Sequence, residues 1–105
     1  MKKTYAHTES GRKIFCKYIT SPLGELFIEF YMPLAGYSYW YYPEERLGNV
    51  RLSNTKTSCD GRKFIITYVI HPSFWAGHGF GDSKYYSVQD IIDVIANKMF
   101  NFNVK

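Results

Sequence analysis

Two stretches with period-two alternation flank a tight turn, and this pairing constrains the fold more than any other feature of the chain. Residues 12–20 (RKIFCKYIT) and 25–32 (ELFIEFYM) are separated by Ser21-Pro22-Leu23-Gly24. Pro at the second turn position and Gly at the fourth suit a type I turn. A type I turn followed by Gly in the left-handed region makes a three-residue hairpin loop with a bulge. That loop sets Ser21 opposite Glu25, and so Tyr18 opposite Ile28, Lys17 opposite Glu29 and Cys16 opposite Phe30. Ile14, Cys16, Tyr18, Leu26, Ile28, Phe30 and Met32 then share one face. Lys17 and Glu29 form a favourable pair on the other. A slip of one residue would turn every side chain to the wrong face, so the pattern specifies its own register.

The remaining segments extend this hairpin into a sheet. Residues 64–70 (FIITYVI) are apolar at both parities, which predicts an interior strand covered on both faces. Asp60-Gly61 signals a two-residue hairpin before it. That turn pairs Cys59 with Arg62, Lys56 with Ile65 and Leu52 with Val69. Residues 37–42 (YSYWYY) read as a further strand, which Pro43 ends or marks as an edge. The first ten residues are polar and read as flexible. Near the end, Val88, Ile91, Ile92, Ile95 and Met99 recur at helical spacing. Ser87 with Asp90 three residues on resembles a capping box, and Lys98 suits the last turn. The helix is predicted over residues 87–100. The order predicts a single α+β domain over residues 1–105: an antiparallel sheet of four or five strands with one C-terminal helix packed on a face.

Composition narrows the function classes. The chain has 105 residues, 46% of them hydrophobic and 21% charged, which excludes intrinsic disorder. No stretch approaches the roughly 18 apolar residues of a membrane span, and the start carries no apolar leader core. The expectation is a soluble cytoplasmic protein that does not engage a membrane. The two cysteines, Cys16 and Cys59, form no metal-ligand cluster. Cys16 falls on the apolar face, and Cys59 sits by a turn as an ordinary thiol. No metal and no cofactor is expected.

Signatures of catalysis are sparse. Gly77-His78-Gly79-Phe80-Gly81-Asp82 spaces its glycines as G-x-G-x-G, and five residues separate Gly81 from the helix cap. A phosphate cradle needs the helix N-terminus immediately after the glycines, so the segment reads as a loop. His71, at the end of the apolar strand, and His78 offer a base and an acid for metal-independent RNA cleavage. Lys56, Arg62, Lys63 or Lys84 would stabilise the developing charge. Nothing in the sequence fixes the distance between the two histidines. Residues 20–28 resemble the opening hairpin of the alkylguanine-DNA methyltransferases. That family's Pro-Cys-His-Arg centre is absent, and no role is carried over from it. The chain is therefore expected not to be an enzyme.

Aromatic content points to binding instead. Phe, Trp and Tyr make up 19% of the residues, more ring area than a domain of this size readily buries. Tyr favours interfaces because its hydroxyl needs a partner. Tyr37, Tyr39, Trp40, Tyr41 and Tyr42 form the densest cluster and are predicted to offer one face of a strand to a ligand. Lys56, Arg62 and Lys63 add positive charge from the second hairpin, as Arg12, Lys13 and Lys17 do from the first. The net charge is +4. The bias toward Tyr, Phe, Ile, Lys and Asn is similar to that of small phage or mobile-element accessory proteins. The leading expectation is an inhibitor or adaptor that docks a host protein or nucleoprotein through this aromatic and basic surface. RNA or single-stranded DNA binding through the same rings is the alternative, a nuclease using His71 and His78 is the second, and a homodimer through an edge strand is a further expectation.

Overall fold

The structure, a computed structural model, describes residues 1–33, 40–41, 50–72 and 87–101, with residues 40 and 41 described by backbone alone. Strands β1 (Lys2–His7), β2 (Lys13–Thr20), β3 (Leu26–Pro33), β5 (Val50–Thr57) and β6 (Lys63–Ile70) form a five-stranded antiparallel sheet in the order β1-β2-β3-β6-β5. Helix α1 (Val88–Met99) follows. The two-residue strands β4 (Trp40–Tyr41) and β7 (Phe100–Asn101) pair in a separate ribbon. This is the expected α+β architecture.

One turn design recurs in all three hairpins of the sheet. Residues 8–11, 21–24 and 58–61 each begin with Ser or Thr and end with Gly. Each glycine N–H donates to the carbonyl of the first residue, from Gly11 to Thr8, Gly24 to Ser21 and Gly61 to Ser58. Each first-residue hydroxyl accepts a backbone N–H across the turn, from Arg12 (3.0 Å), Glu25 (3.1 Å) and Lys63 (3.1 Å). The glycines lie at φ between 71° and 86°, a region that side chains with a Cβ rarely adopt. Gly24 is held on a second count, because a Cβ there would meet the Pro72 ring at 3.2 Å.

The β2–β3 register is the one the sequence predicts: Tyr18 opposite Ile28, Lys17 opposite Glu29, Cys16 opposite Phe30. The β5–β6 hairpin differs in two respects. Its loop is closed by Ser58 N–H to Lys63 O, so four residues span the turn, not Asp60-Gly61 alone. Lys56 still faces Ile65, but a bulge between Leu52 and Asn54 shifts the register, and Leu52 faces Tyr68 in place of Val69. The reason is hydrophobic. Without the extra residue, Val50 and Leu52 would turn away from the core; with it, Val50 is buried opposite Ile70.

The expectation of flexible first residues is overturned for Lys2–His7, which form the edge strand β1. Its signal is weak because only Ala6 is buried there. The strand is held from outside by three side chains one helical turn apart on α1. Gln89 Nε2 donates to Tyr5 O (2.7 Å), the His7 N–H donates to Asp93 Oδ1 (2.9 Å), and Asn97 Nδ2 donates to His7 O (3.2 Å). Asn97 Oδ1 also accepts the Glu9 N–H at 2.8 Å. An exposed strand edge invites pairing with other chains, and here the helix occupies it.

The core lies between α1 and one sheet face. Ile91, Ile92, Ile95, Ala96 and Met99 pack on Ala6, Ile14, Cys16, Leu26, Ile28, Phe30, Met32, Ile66, Tyr68 and Ile70. The ring of Phe100 stands edge-on to Phe30 (5.1 Å) and Tyr68 (6.0 Å). The predicted capping box is present, with the Asp90 N–H donating to Ser87 Oγ at 3.2 Å and the Ser87 N–H to Asp90 Oδ2 at 3.1 Å. Burial pushes the Cys16 thiol up to about 12, and the nearby Asp93 charge adds to the shift.

Candidate functional site

Residues at the other parity of the strands face away from α1. Cross-strand pairing lays them out in rows. Tyr5 lies opposite Phe15, Tyr31 opposite Ile65, and Ile65 opposite Lys56. Next to this row, Lys3 lies opposite Lys17, Lys17 opposite Glu29, and Glu29 opposite Thr67. On its other side, His7 lies opposite Lys13, and Pro33 opposite Lys63. Both parities of β6 are buried, as its apolar run predicts, including Ile65, Thr67 and Val69 on this face. The accessible part lies over β1 to β3, where Tyr5 is 50% exposed.

Three rings run in line there. The Tyr5 and Phe15 centroids are 5.6 Å apart, and those of Phe15 and Tyr31 are 5.4 Å apart. The Lys13 ammonium sits 5.9 Å from the Tyr5 ring centroid, and the Lys17 ammonium 5.2 Å from that of Tyr31. The Tyr31 hydroxyl donates to Glu29 at 3.2 Å, which orients the ring. Arg12, Lys13 and Lys63 converge with Tyr5, Phe15, Tyr31 and Pro33 around a cleft of about 250 Å³. Flat π surface beside several cations is the chemistry that stacks a base and holds its phosphate.

The residues predicted from sequence divide four ways. Lys56 and Lys63 do lie on this face: Lys56 is exposed at the end of the ring row, and Lys63 lines the cleft. Arg62 lies in the β5–β6 turn, exposed, with its N–H donated to Asp60 Oδ1 at 3.0 Å. That bond and the Ser58 hydroxyl, the larger cause, hold the Asp60 carboxyl below its ordinary range. Tyr37, Tyr39, Tyr42 and His78 lie outside the described residues. Trp40 and Tyr41 are placed only as strand β4, opposite Asn101 and Phe100, and thus in the small ribbon and not in the main sheet. Tyr5, Phe15 and Tyr31 are the rings that sequence reasoning missed. Their signal is the second parity of the first hairpin, where Lys13, Phe15 and Lys17 alternate with the buried positions.

A second cleft, of about 220 Å³, lies at the far end of β6 and is lined by Glu25, Val50, Arg51, Val69 and His71. Among the described residues no group of His, Cys, Asp and Glu side chains could hold a metal ion, and no helix is long and apolar enough to cross a membrane. The fold defines the class as an α+β domain with one helix-covered sheet face. No family model, curated protein or solved structure matches the chain.

Proposed function

We propose that this is a binding protein whose ligand surface is the sheet face turned away from α1, and that the ligand is single-stranded nucleic acid, free or within a nucleoprotein. The row Tyr5, Phe15, Tyr31 under the Lys13 and Lys17 ammonium groups carries the proposal. Rings in line on the accessible part of a sheet accept bases of any sequence, and the cations beside them meet the phosphates. A nucleoprotein partner fits the same surface, with the nucleic acid as the contacted part. A homodimer through a strand edge of the five-stranded sheet would use β5, because α1 side chains occupy the outward groups of β1.

Stacking on one ring contributes about 1–3 kcal/mol per base, and 1.4 kcal/mol is about tenfold in affinity. Tyr5→Ala and Tyr31→Ala are each expected to weaken binding of a labelled single-stranded oligonucleotide by about tenfold or more, with the far-ultraviolet circular dichroism unchanged. Fluorescence anisotropy at low salt measures this. Absence of binding by the unaltered protein, to RNA and to DNA alike, overturns the proposal.

A further inference from the structure

We infer that Glu25, Arg51 and His71 form a metal-independent centre that cleaves single-stranded RNA held on this face. The inference rests on the nucleic-acid reading above. It departs from the expectation of a protein without catalysis, and it gives His71 a different partner from His78.

The juxtaposition follows from the register. The last β3–β6 pair is Leu26 opposite Ile70. One step further out, Glu25 comes opposite His71. The step beyond that is fixed too, because Gly24 abuts the Pro72 ring. Glu25 and His71 are thus held on both sides as cross-strand neighbours. Side chains so placed leave their Cβ atoms about 5 Å apart. Both project to the face turned away from α1, by parity with Phe27 and Val69.

Arg51 is brought there by the bulge in β5. In an unbroken register Arg51 would lie opposite Ile70 and point into the core. The extra residue between Leu52 and Asn54 sets it opposite Val69 instead, next to His71. All three side chains line the same 220 Å³ cleft. Bulges that re-aim a single side chain recur beside active sites. The cleft lies on the face that carries the ring row, roughly 20 Å along β6 from Ile65 by strand rise. The accessible route from the rings to the cleft runs over β2 and β3, past Ile19, which is 49% exposed and lies opposite Phe27.

A carboxylate, an imidazole and a guanidinium around a gap of this size suit transesterification. The Glu25 carboxylate takes the proton of a ribose 2′-hydroxyl. The 2′-oxygen bonds to the adjacent phosphorus, and the bond from phosphorus to the 5′-oxygen breaks. That oxygen leaves with a proton from the His71 imidazolium, while the Arg51 guanidinium offsets the charge on the phosphorane. The products are a 2′,3′-cyclic phosphate and a 5′-hydroxyl. No metal or added reactant enters, and Glu25 and His71 regain their starting states by proton exchange with water.

The test incubates the full chain with a labelled single-stranded RNA in the presence of a chelator, and follows both binding and the cyclic-phosphate product. Glu25→Gln and His71→Ala are each expected to lower the cleavage rate about a hundredfold or more while RNA affinity stays within about twofold. DNA of the same sequence is bound and left intact, since it lacks the 2′-hydroxyl. RNA bound by the unaltered protein but not cut overturns the inference and leaves the binding surface standing. Cleavage undiminished in both variants also overturns it. RNA neither bound nor cut overturns the binding proposal, and this one with it.

Discussion

At the scale of single residues, the two cysteines contrast the core with the surface. Cys16 is buried against α1, and Cys59 is exposed in a turn. With a folded pKa raised from 9.0 to about 12, Cys16 stays a neutral thiol while the unfolded chain's thiol ionises. The unfolded state then holds fewer protons than the folded state, so this group's contribution is whole below pH 9 and is lost as pH rises toward 12. A disulfide reagent is expected to titrate one thiol in the native protein and two in denaturant. The fall in stability above pH 9 is expected to be shallower in Cys16→Ala. Two reactive thiols in the native state would contradict the packing of the core face. The residues around this position are legible in the sequence alone, because alternation assigns Ile14, Cys16, Phe30 and Met32 to one face. The site is not. Arg51 faces outward because of a bulge, and a bulge is a tertiary answer to where Val50 and Leu52 must go.

Among the elements, α1 and the first hairpin are readable from sequence, and β1 is not. The helix carries its own apolar stripe and its own cap, both local in sequence. Strand β1 has one buried residue, and its outward groups are satisfied by side chains more than 80 positions away. What signal it has is the turn after it: Thr8 and Gly11 stand at the spacing of Ser21 and Gly24. Asp93 is the centre of this attachment, because its Oδ1 accepts from the His7 N–H at 2.9 Å and from Gln89 Nε2 at 2.9 Å. Asp93→Ala is expected to destabilise the fold by about 1–2 kcal/mol and to raise amide exchange at His7 well above that of β2. Chemical denaturation and hydrogen exchange measure the two effects. Unchanged protection at His7 would mean that the Asp93 bond is not what holds this end of β1.

Across the whole molecule, the sheet divides the chemistry. One face is apolar and covered by the helix. Among the described residues, the other gathers Lys3, Lys13, Lys17, Lys56, Lys63 and Arg51 around the ring row, with Glu29 and Glu25 as acids among them. Binding there should release counterions, with a logarithmic slope against salt of about −0.7 per phosphate on a single strand. Lys63→Ala is expected to weaken binding and to make that slope shallower by about 0.7. The most direct measurement of where the ligand sits is a titration of the isotope-labelled protein with a single-stranded oligonucleotide, followed by the backbone amide resonances. Shifts are predicted at Tyr5, Phe15, Lys17, Tyr31 and Lys63, with Ile92 and Ile95 unmoved. Shifts concentrated on α1, or none anywhere, would contradict the assignment of this face.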